Sequence, residues 1–447
     1  MRRETCPMRI VWVALLGPML AELMLAGPAS AGPMSAGPKM VGAVRAGTIL
    51  AGPMPTEPTS VGPKGVRWEV QEIARDLSIG YAVALADLNG DGRSDIIVVD
   101  QHRVLWYENP TWKPRLILQG KTRPDNVCLA VFDVDGDGQL DIVLGAGWRP
   151  FNTEVGGTLQ WLKRRASLDE EWELFPIAEE PSVHRVRLAR LDGPQRPPAI
   201  VLAPLMGRQS SAAGNWLDGR PVRILAYRLP KDPRVGPWEP AVLSEELHVV
   251  HNIAVTPGDS PEQPDRLLAA SYEGVSVVEA SDGGRWRTRR IGSGNQDNPK
   301  ASRGASEIKQ GKLKTGRTFI ATIEPWHGNQ VVVYTDHVGE DGLRRRFVLD
   351  EQLRWGHAVW CADLDGDGDE ELIIGVRDQL SEQARSGVRI YKCQDGRGER
   401  WTRHLVDAGG VAVEDLAAGD LDGDGRIDIV AVGRQSRNVR IYWNRPE

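Results

Sequence analysis

Four short acidic segments constrain this chain more than any other feature. They read ADLNGDGRSDIIVV from Ala86, FDVDGDGQLDIVLG from Phe132, ADLDGDGDEELIIG from Ala362 and GDLDGDGRIDIVAV from Gly419. Each sets alternate oxygen-bearing side chains on a glycine-bent turn between two runs of strand character. Taking the first Asp of each as position zero gives Asp87, Asp133, Asp363 and Asp420. The stretch between Asp133 and Asp363 is too long for one unit. Three degenerate copies fill it, with Arg190, Pro257 and Gln310 at zero. The spacings are then 46, 57, 67, 53, 53 and 57 residues. A period of about 55 residues made only of strands and turns predicts an all-β, seven-bladed β-propeller of four-stranded blades.

Alternation within the units supports that register. Residues four and two before zero are mostly large and apolar, as in Val83/Leu85, Leu129/Val131, Val186/Leu188 and Ile253/Val255, with smaller residues such as Ala84, Ala130 and Ala254 between them; the fifth copy reads Ser306/Ile308. Such a period of two suits an innermost strand wedged between neighbouring blades. A fourth strand opens near Trp112, Trp172, Trp238, Trp286 and Trp401, which helps account for 15 Trp against 5 Phe. Val66–Ala74, with Trp68, is a strand of this kind ahead of the first unit, whereas the last unit stops after Tyr442 and Trp443. The expected closure sets Val66–Ala74 beside Val439–Trp443, so that the N-terminal strand completes the last blade and no sheet edge is left open.

The rest of the chain divides simply. Residues 1–31 read as a signal peptide: Arg2, Arg3 and Arg9 precede the apolar run Ile10–Leu25, and Ala29-Ser30-Ala31 is a small-x-small cleavage site. Export to the outside, the periplasm or the cell surface is expected, with no transmembrane segment after cleavage. Residues 32–65 repeat AGPM, AGPK and VGPK units and are expected to be a disordered linker, leaving residues 66–447 for the propeller. A formal charge of −6 gives no basic field for nucleic acid. Cys128, Cys361 and Cys393 have no framework spacing and read as free thiols.

The acidic loops have the donors of calcium sites. The sets are Asp87, Asn89, Asp91 and Asp95; Asp133, Asp135, Asp137 and Asp141; Asp363, Asp365, Asp367 and Glu371; and Asp420, Asp422, Asp424 and Asp428. Oxygen donors alone, without His or Cys, suit a hard cation, and clustered carboxylates without one repel. An EF-hand would need flanking helices and its last acid at the twelfth position rather than the ninth. With these loops between strands, the chain resembles the FG-GAP/VCBS repeat family of integrin-alpha-like propellers over about residues 66–447. The resemblance implies calcium on the lower face in four blades.

A second column of residues is not accounted for by calcium. Six positions before zero the units read Tyr81, Val127, His184, His251, Gly304, His357 and Glu414, and three of only eight His share that register. These positions start the inner strands, so they ring the upper funnel, where the loops between second and third strands also open. Those loops carry Arg149, Arg208, Trp216, Tyr272, Glu324, His327, Arg377 and Arg434. Imidazoles with a carboxylate suit a divalent metal such as Zn2+, Mn2+ or Mg2+, and Arg with aromatic rings suits sugar hydroxyls or carboxylates. Singly, each His could instead cap an apolar face.

The propeller also resembles the propeller portion of the aldos-2-ulose dehydratase family, whose cupin portion finds no counterpart here, so that any isomerase step of that portion is expected to be absent. The resemblance implies metal-assisted elimination on a carbohydrate or keto-sugar: a cation holds the developing enolate while a base removes the neighbouring C–H proton. His184, His251, His357 and Glu414 are the expected ligands or proton-transfer groups, with His327 and Glu324 as further acid–base candidates. Arg149, Arg208, Trp216, Tyr272, Arg377 and Arg434 are the expected substrate contacts. The competing reading is a non-catalytic adhesion module for a cell-surface glycan or protein.

Overall fold

The computed structural model describes residues 57–447 apart from 62, 64, 282, 299 and 379–384, so the signal peptide and most of the linker lie outside the described residues. Short apolar runs such as DIIVVD, DIVLGA and ELIIGV are buried at every residue, as expected of strands covered on both faces. They form the second strand of each blade. Six sheets have four antiparallel strands in chain order, from the innermost outwards, and there is no helix among the described residues.

The inner strands are Gly80–Ala86, Cys128–Phe132, Val183–Ala189, Asn252–Thr256, Ile308–Lys312, Gly356–Ala362 and Val413–Gly419, for blades one to seven. Each lies against the inner strands of both neighbouring blades, including the first against the last. The ring is therefore closed, as a seven-bladed propeller. The core sits between blades rather than at one centre: Val359, Leu372 and Ile374 of blade six pack on Phe319, Ile323 and Val331 of blade five.

The closing blade pairs Val66–Ala74 with Val439–Pro446, placing Val70 opposite Tyr442 and Glu69 opposite Trp443. This is the closure expected from the sequence. The blade also has a fifth strand, Glu57–Val61, paired antiparallel with Val66–Ala74. That strand falls inside the stretch assigned to the linker, so the linker assignment of 32–65 is corrected at its end. The reason is backbone pairing: the outer edge of Val66–Ala74 needs hydrogen-bond partners, and the segment just before it is the nearest chain able to supply them.

Blade five corrects the register of its degenerate copy. Ile308 packs with Ala254, Leu268 and Ala270 of the preceding blade, just as Val359, four before its Asp, packs on blade five. The fifth zero is thus Lys312 rather than Gln310. Gly304 leaves the column and sits in a loop bridge with Asn295, Ser306 takes its place, and Glu307 follows.

Neighbouring blades are also tied by polar groups near the acidic loops. The buried Asn109 donates to the Leu421 carbonyl at 2.7 Å, and the buried Asn444 to that of Leu364 at 2.7 Å. Cys128, Cys361 and Cys393 are free thiols.

Candidate active site and acidic loops

Strand geometry brings the histidine column together. His184 and His357 lie in the inner strands of blades three and six, and His251 directly precedes that of blade four. His327 comes from the turn between the second and third strands of blade five, at a positive φ of 50°. His251 and His327 have ring centroids 4.7 Å apart and edge-to-face, and each lies 5.1 Å from His357. Donor atoms of these three converge within 4.8 Å. The His184 ring lies 4.7 Å from that of His251, tilted by 56°.

Hydrogen bonds assign the ring protons. His357 Nδ1 lies 2.7 Å from the Glu414 carbonyl, which can only accept, so that nitrogen carries the proton and Nε2 keeps its lone pair. Arg185 donates to His184 Nε2 at 3.1 Å, which leaves the proton on Nδ1, where it has no partner. His251 Nδ1 is 2.8 Å from Glu307 Oε1, a charge contact not aligned as a hydrogen bond. His251 Nε2 then faces His327 Nε2 at 2.8 Å. Two lone pairs repel at that distance, so a proton or a cation belongs between them.

Burial holds all four imidazoles below their usual pKa. For His184, nearby Arg185 and His251 add to the effect; for His357, Arg377 and His251 do; for His327, His251 and Arg377 do. In His251, Glu307 partly offsets burial. The rings are therefore neutral, the form that binds metal. Burial alone would raise Glu307, but Arg185 and His251 hold it down to about 2.

Beside the imidazoles, Glu414 Oε1 accepts from Arg434 at 2.8 Å, while its Oε2 is buried without a hydrogen bond, 3.9 Å from Arg377 and 3.8 Å from His357 Nδ1. Arg434 also covers the Tyr81 ring, whose hydroxyl donates to Asp125 at 2.8 Å. Trp148 packs on His184, and Trp326 on His327. Trp216 and Tyr272 are buried in the same apolar cluster as these two Trp. The result is a polar centre with an aromatic wall.

Two expected residues face elsewhere. Glu324 is fully buried within blade five, where Tyr334 donates to it at 2.6 Å, Thr322 at 2.9 Å and Arg346 at 2.9 Å. It ends a second strand, and alternation sends its side chain into the blade rather than toward His327. Arg208 is engaged by Glu180 through bonds of 3.1 and 2.6 Å in a separate pocket with Arg220 and Arg223. Arg149 is exposed. Glu307 is hidden in the sequence by the register offset, and Arg185 carries no motif that marks it beside His184. Trp326, beside His327 in IEPWHGN, was legible but unused.

The acidic loops are uniform in geometry. Asp133 accepts from the backbone of Gly136, Asp137 and Gly138 at 2.8, 3.1 and 2.8 Å, and Gly136 and Gly138 sit at φ 76° and 84°, where other residues are strained. Asp87, Asp363 and Asp420 bend their loops in the same way. Donor oxygens converge within 4.8 Å in the sets Asp133/Asp135/Asp141, Asp363/Asp365/Glu371 and Asp420/Asp422/Asp428. Buried oxygens of Asp135, Asp141, Asp365 and Glu371 have no hydrogen-bond partner. Burial pushes Asp141 up to about 6, Glu371 to about 8 and Asp428 to about 7. Buried carboxyl oxygens without hydrogen-bond partners, in loops that offer only oxygen donors, fit a hard divalent cation.

The chain is a closed β-propeller whose acidic-loop blades are similar to FG-GAP repeats: the profile of the FG-GAP-like repeat matches residues 87–144 and 363–431. The profile of "Aldos-2-ulose dehydratase, beta-propeller domain" matches residues 156–337. Among curated proteins, the chain is 25% identical over 395 residues to aldos-2-ulose dehydratase of Phanerodontia chrysosporium, covering 82% of this chain and 41% of that protein. The chain thus spans less than half the length of this relative. Among solved structures, the chain is similar to BBS1N, crystallised in complex with ARL6DN, at 12% identity and a TM-score of 0.50, covering 83% of this chain and 94% of that one. It is similar to the Cps50 (Swd1) propeller domain of Myceliophteria thermophila at 10% identity and a TM-score of 0.50, covering 84% and 99%. Those two likenesses concern the fold alone. No helix among the described residues is long and apolar enough to cross a membrane.

Proposed function

We propose that this protein is an exported carbohydrate lyase of the dehydratase type, with calcium in its four acidic loops and a further divalent metal held by His251, His327 and His357. The observation that carries the reading is the convergence of three neutral imidazoles from three blades, which supplies the three protein ligands and open positions typical of a catalytic centre. The relative's name, a sugar dehydratase, supports the substrate class. A metal there would polarise the carbonyl beside the C–H bond that breaks.

The chain's own groups supply the remainder. The free Oε2 of Glu414 accepts the C–H proton, and that bond's electron pair becomes the new C=C bond. The leaving hydroxyl departs with the C–O pair and takes the proton that Glu414 has accepted, so one water is released and the carboxylate is restored. Arg377 and Arg434 orient the sugar, and the aromatic wall takes its apolar face.

The test is metal analysis combined with a panel of keto-sugars and uronates, read as new ultraviolet absorbance. His251→Ala and His357→Ala should each lose one divalent ion and at least about 100-fold in activity, with calcium content unchanged. A protein that holds no metal beyond its loops and gives no product with any substrate removes the enzymatic reading. One observation favours plain glycan binding: Phe151, 57% exposed, stacks on Trp216 and offers an open aromatic face.

A further inference from the structure

Beneath the histidines the ring encloses a channel cavity of about 360 Å3, and none of the four imidazoles lines it. Small side chains, among them Ala82, Ala84, Ala130 and Ala417, form much of its wall. Into this wall the inner strands of blades three and five insert three cations: Arg185, which is paired with Glu307, and Arg187 and Lys309. Arg187 donates only to neutral acceptors: the Ile253 carbonyl at 3.1 Å, the Val186 carbonyl at 2.8 Å and Asn252 Oδ1 at 2.8 Å. Lys309 places its ammonium 3.8 Å from the centre of the Trp360 ring.

Neither Arg187 nor Lys309 is in an ion pair with a described residue. The two carboxylates of the channel are committed elsewhere. Glu307 serves Arg185 and His251, and Asp415 accepts from the backbone of Val83 at 3.1 Å and Leu416 at 3.0 Å. Both side chains are half-buried in the channel, and a charge partly withdrawn from water is costly without a counter-charge. Burial and the Arg187 guanidinium push the Lys309 amine down to about 8, a mark of the same shortfall.

We propose that the channel binds a small anion, a carboxylate or an inorganic oxyanion, between the Arg187 guanidinium and the Lys309 ammonium. The guanidinium supplies a planar donor pair and the ammonium a point charge, while Trp360 closes one side. The cavity is large enough for phosphate or a short-chain carboxylate. The site adjoins the proposed metal centre through Glu307 but uses none of the proposed metal ligands.

Titration calorimetry tests this on the whole protein, with sodium phosphate in one arm and sodium acetate in the other. Ionic strength is held fixed with a bulky sulfonate salt. A saturable one-site isotherm is expected in at least one arm: phosphate alone identifies an inorganic oxyanion site, acetate alone a carboxylate site. Lys309→Met, which keeps a stem over Trp360 and removes the charge, should weaken that binding at least tenfold. Arg75→Met, which removes an exposed charge elsewhere, should leave it unchanged. Should Lys309→Met fail to fold, wild-type protein is reductively methylated with and without the anion, and Lys309 is read by mass spectrometry. Protection of Lys309 supports the site. Heat in neither arm, equal affinity in Lys309→Met, or unprotected Lys309 overturns it.

Discussion

At the residue scale, position in the propeller decides what each polar group can do. His357 and Glu414 stand at the tops of inner strands, where the funnel is polar, and keep a free lone pair or oxygen. Asp415, the next residue after Glu414, turns into the channel, and burial pushes it up to about 6. Its folded pKa therefore lies above the unfolded value near 3.8. The fold prefers the neutral carboxyl, so the stability it contributes is present in acid and falls as pH rises from about 4 to about 6, then levels off. Urea unfolding of Asp415→Asn and wild type at pH 4.5 and pH 7 should show the comparison moving in favour of Asn at the higher pH. Parallel curves at the two pH values would show that the carboxyl is not under that strain.

Loops and strands form the next scale. A calcium ion in the loops at Asp133 and Asp363 would satisfy buried oxygens that have no hydrogen-bond partner, so chelation should lower the melting temperature and added calcium restore it. Asp141→Asn should reduce bound calcium by one equivalent, read by metal analysis, while an unchanged count would exclude that loop as a site. The loops differ in their basic neighbours. Lys163 reaches Asp135 and Asp137 at 2.7 and 2.6 Å, and Lys392 reaches Asp365 and Asp367, whereas the matching position in blade one is Glu108. Four of the seven units were legible in the sequence because the turn needs Asp and Gly at fixed places. Blade five was legible only in parity. A shift of two residues preserves strand alternation, so the apolar pattern could not reveal that Ile308, rather than Ser306, occupies the buried place, and Glu307 stayed hidden. Glu324 failed for a related reason: closeness to His327 in sequence says nothing about which face of a strand a side chain takes.

For the whole molecule, stability and site share one requirement, a closed ring. His184, His251, His327 and His357 come from four consecutive blades, so their separation depends on how the blades are wedged together. Deleting residues through Asp76 removes both N-terminal strands and bares the Val439–Pro446 edge; the expected outcome is aggregation and loss of a single cooperative transition in calorimetry. Deleting only through Val61 should cost far less, because Val66–Ala74 still completes the blade. If the longer deletion melts like the full chain, closure is not what holds the ring.

The closing pair also orders events in time. Trp443 donates to Gln71 across 372 residues of chain, so the inward edge of Val66–Ala74 has no partner until the last strand has been made. Loop-closure entropy grows only slowly with length, so waiting, rather than energy, is the cost. Throughout synthesis the segment around Trp68 and Val70, later buried, can pair only with Glu57–Val61 and keeps one backbone edge free. It is the stretch of the newborn chain that a chaperone has most reason to cover.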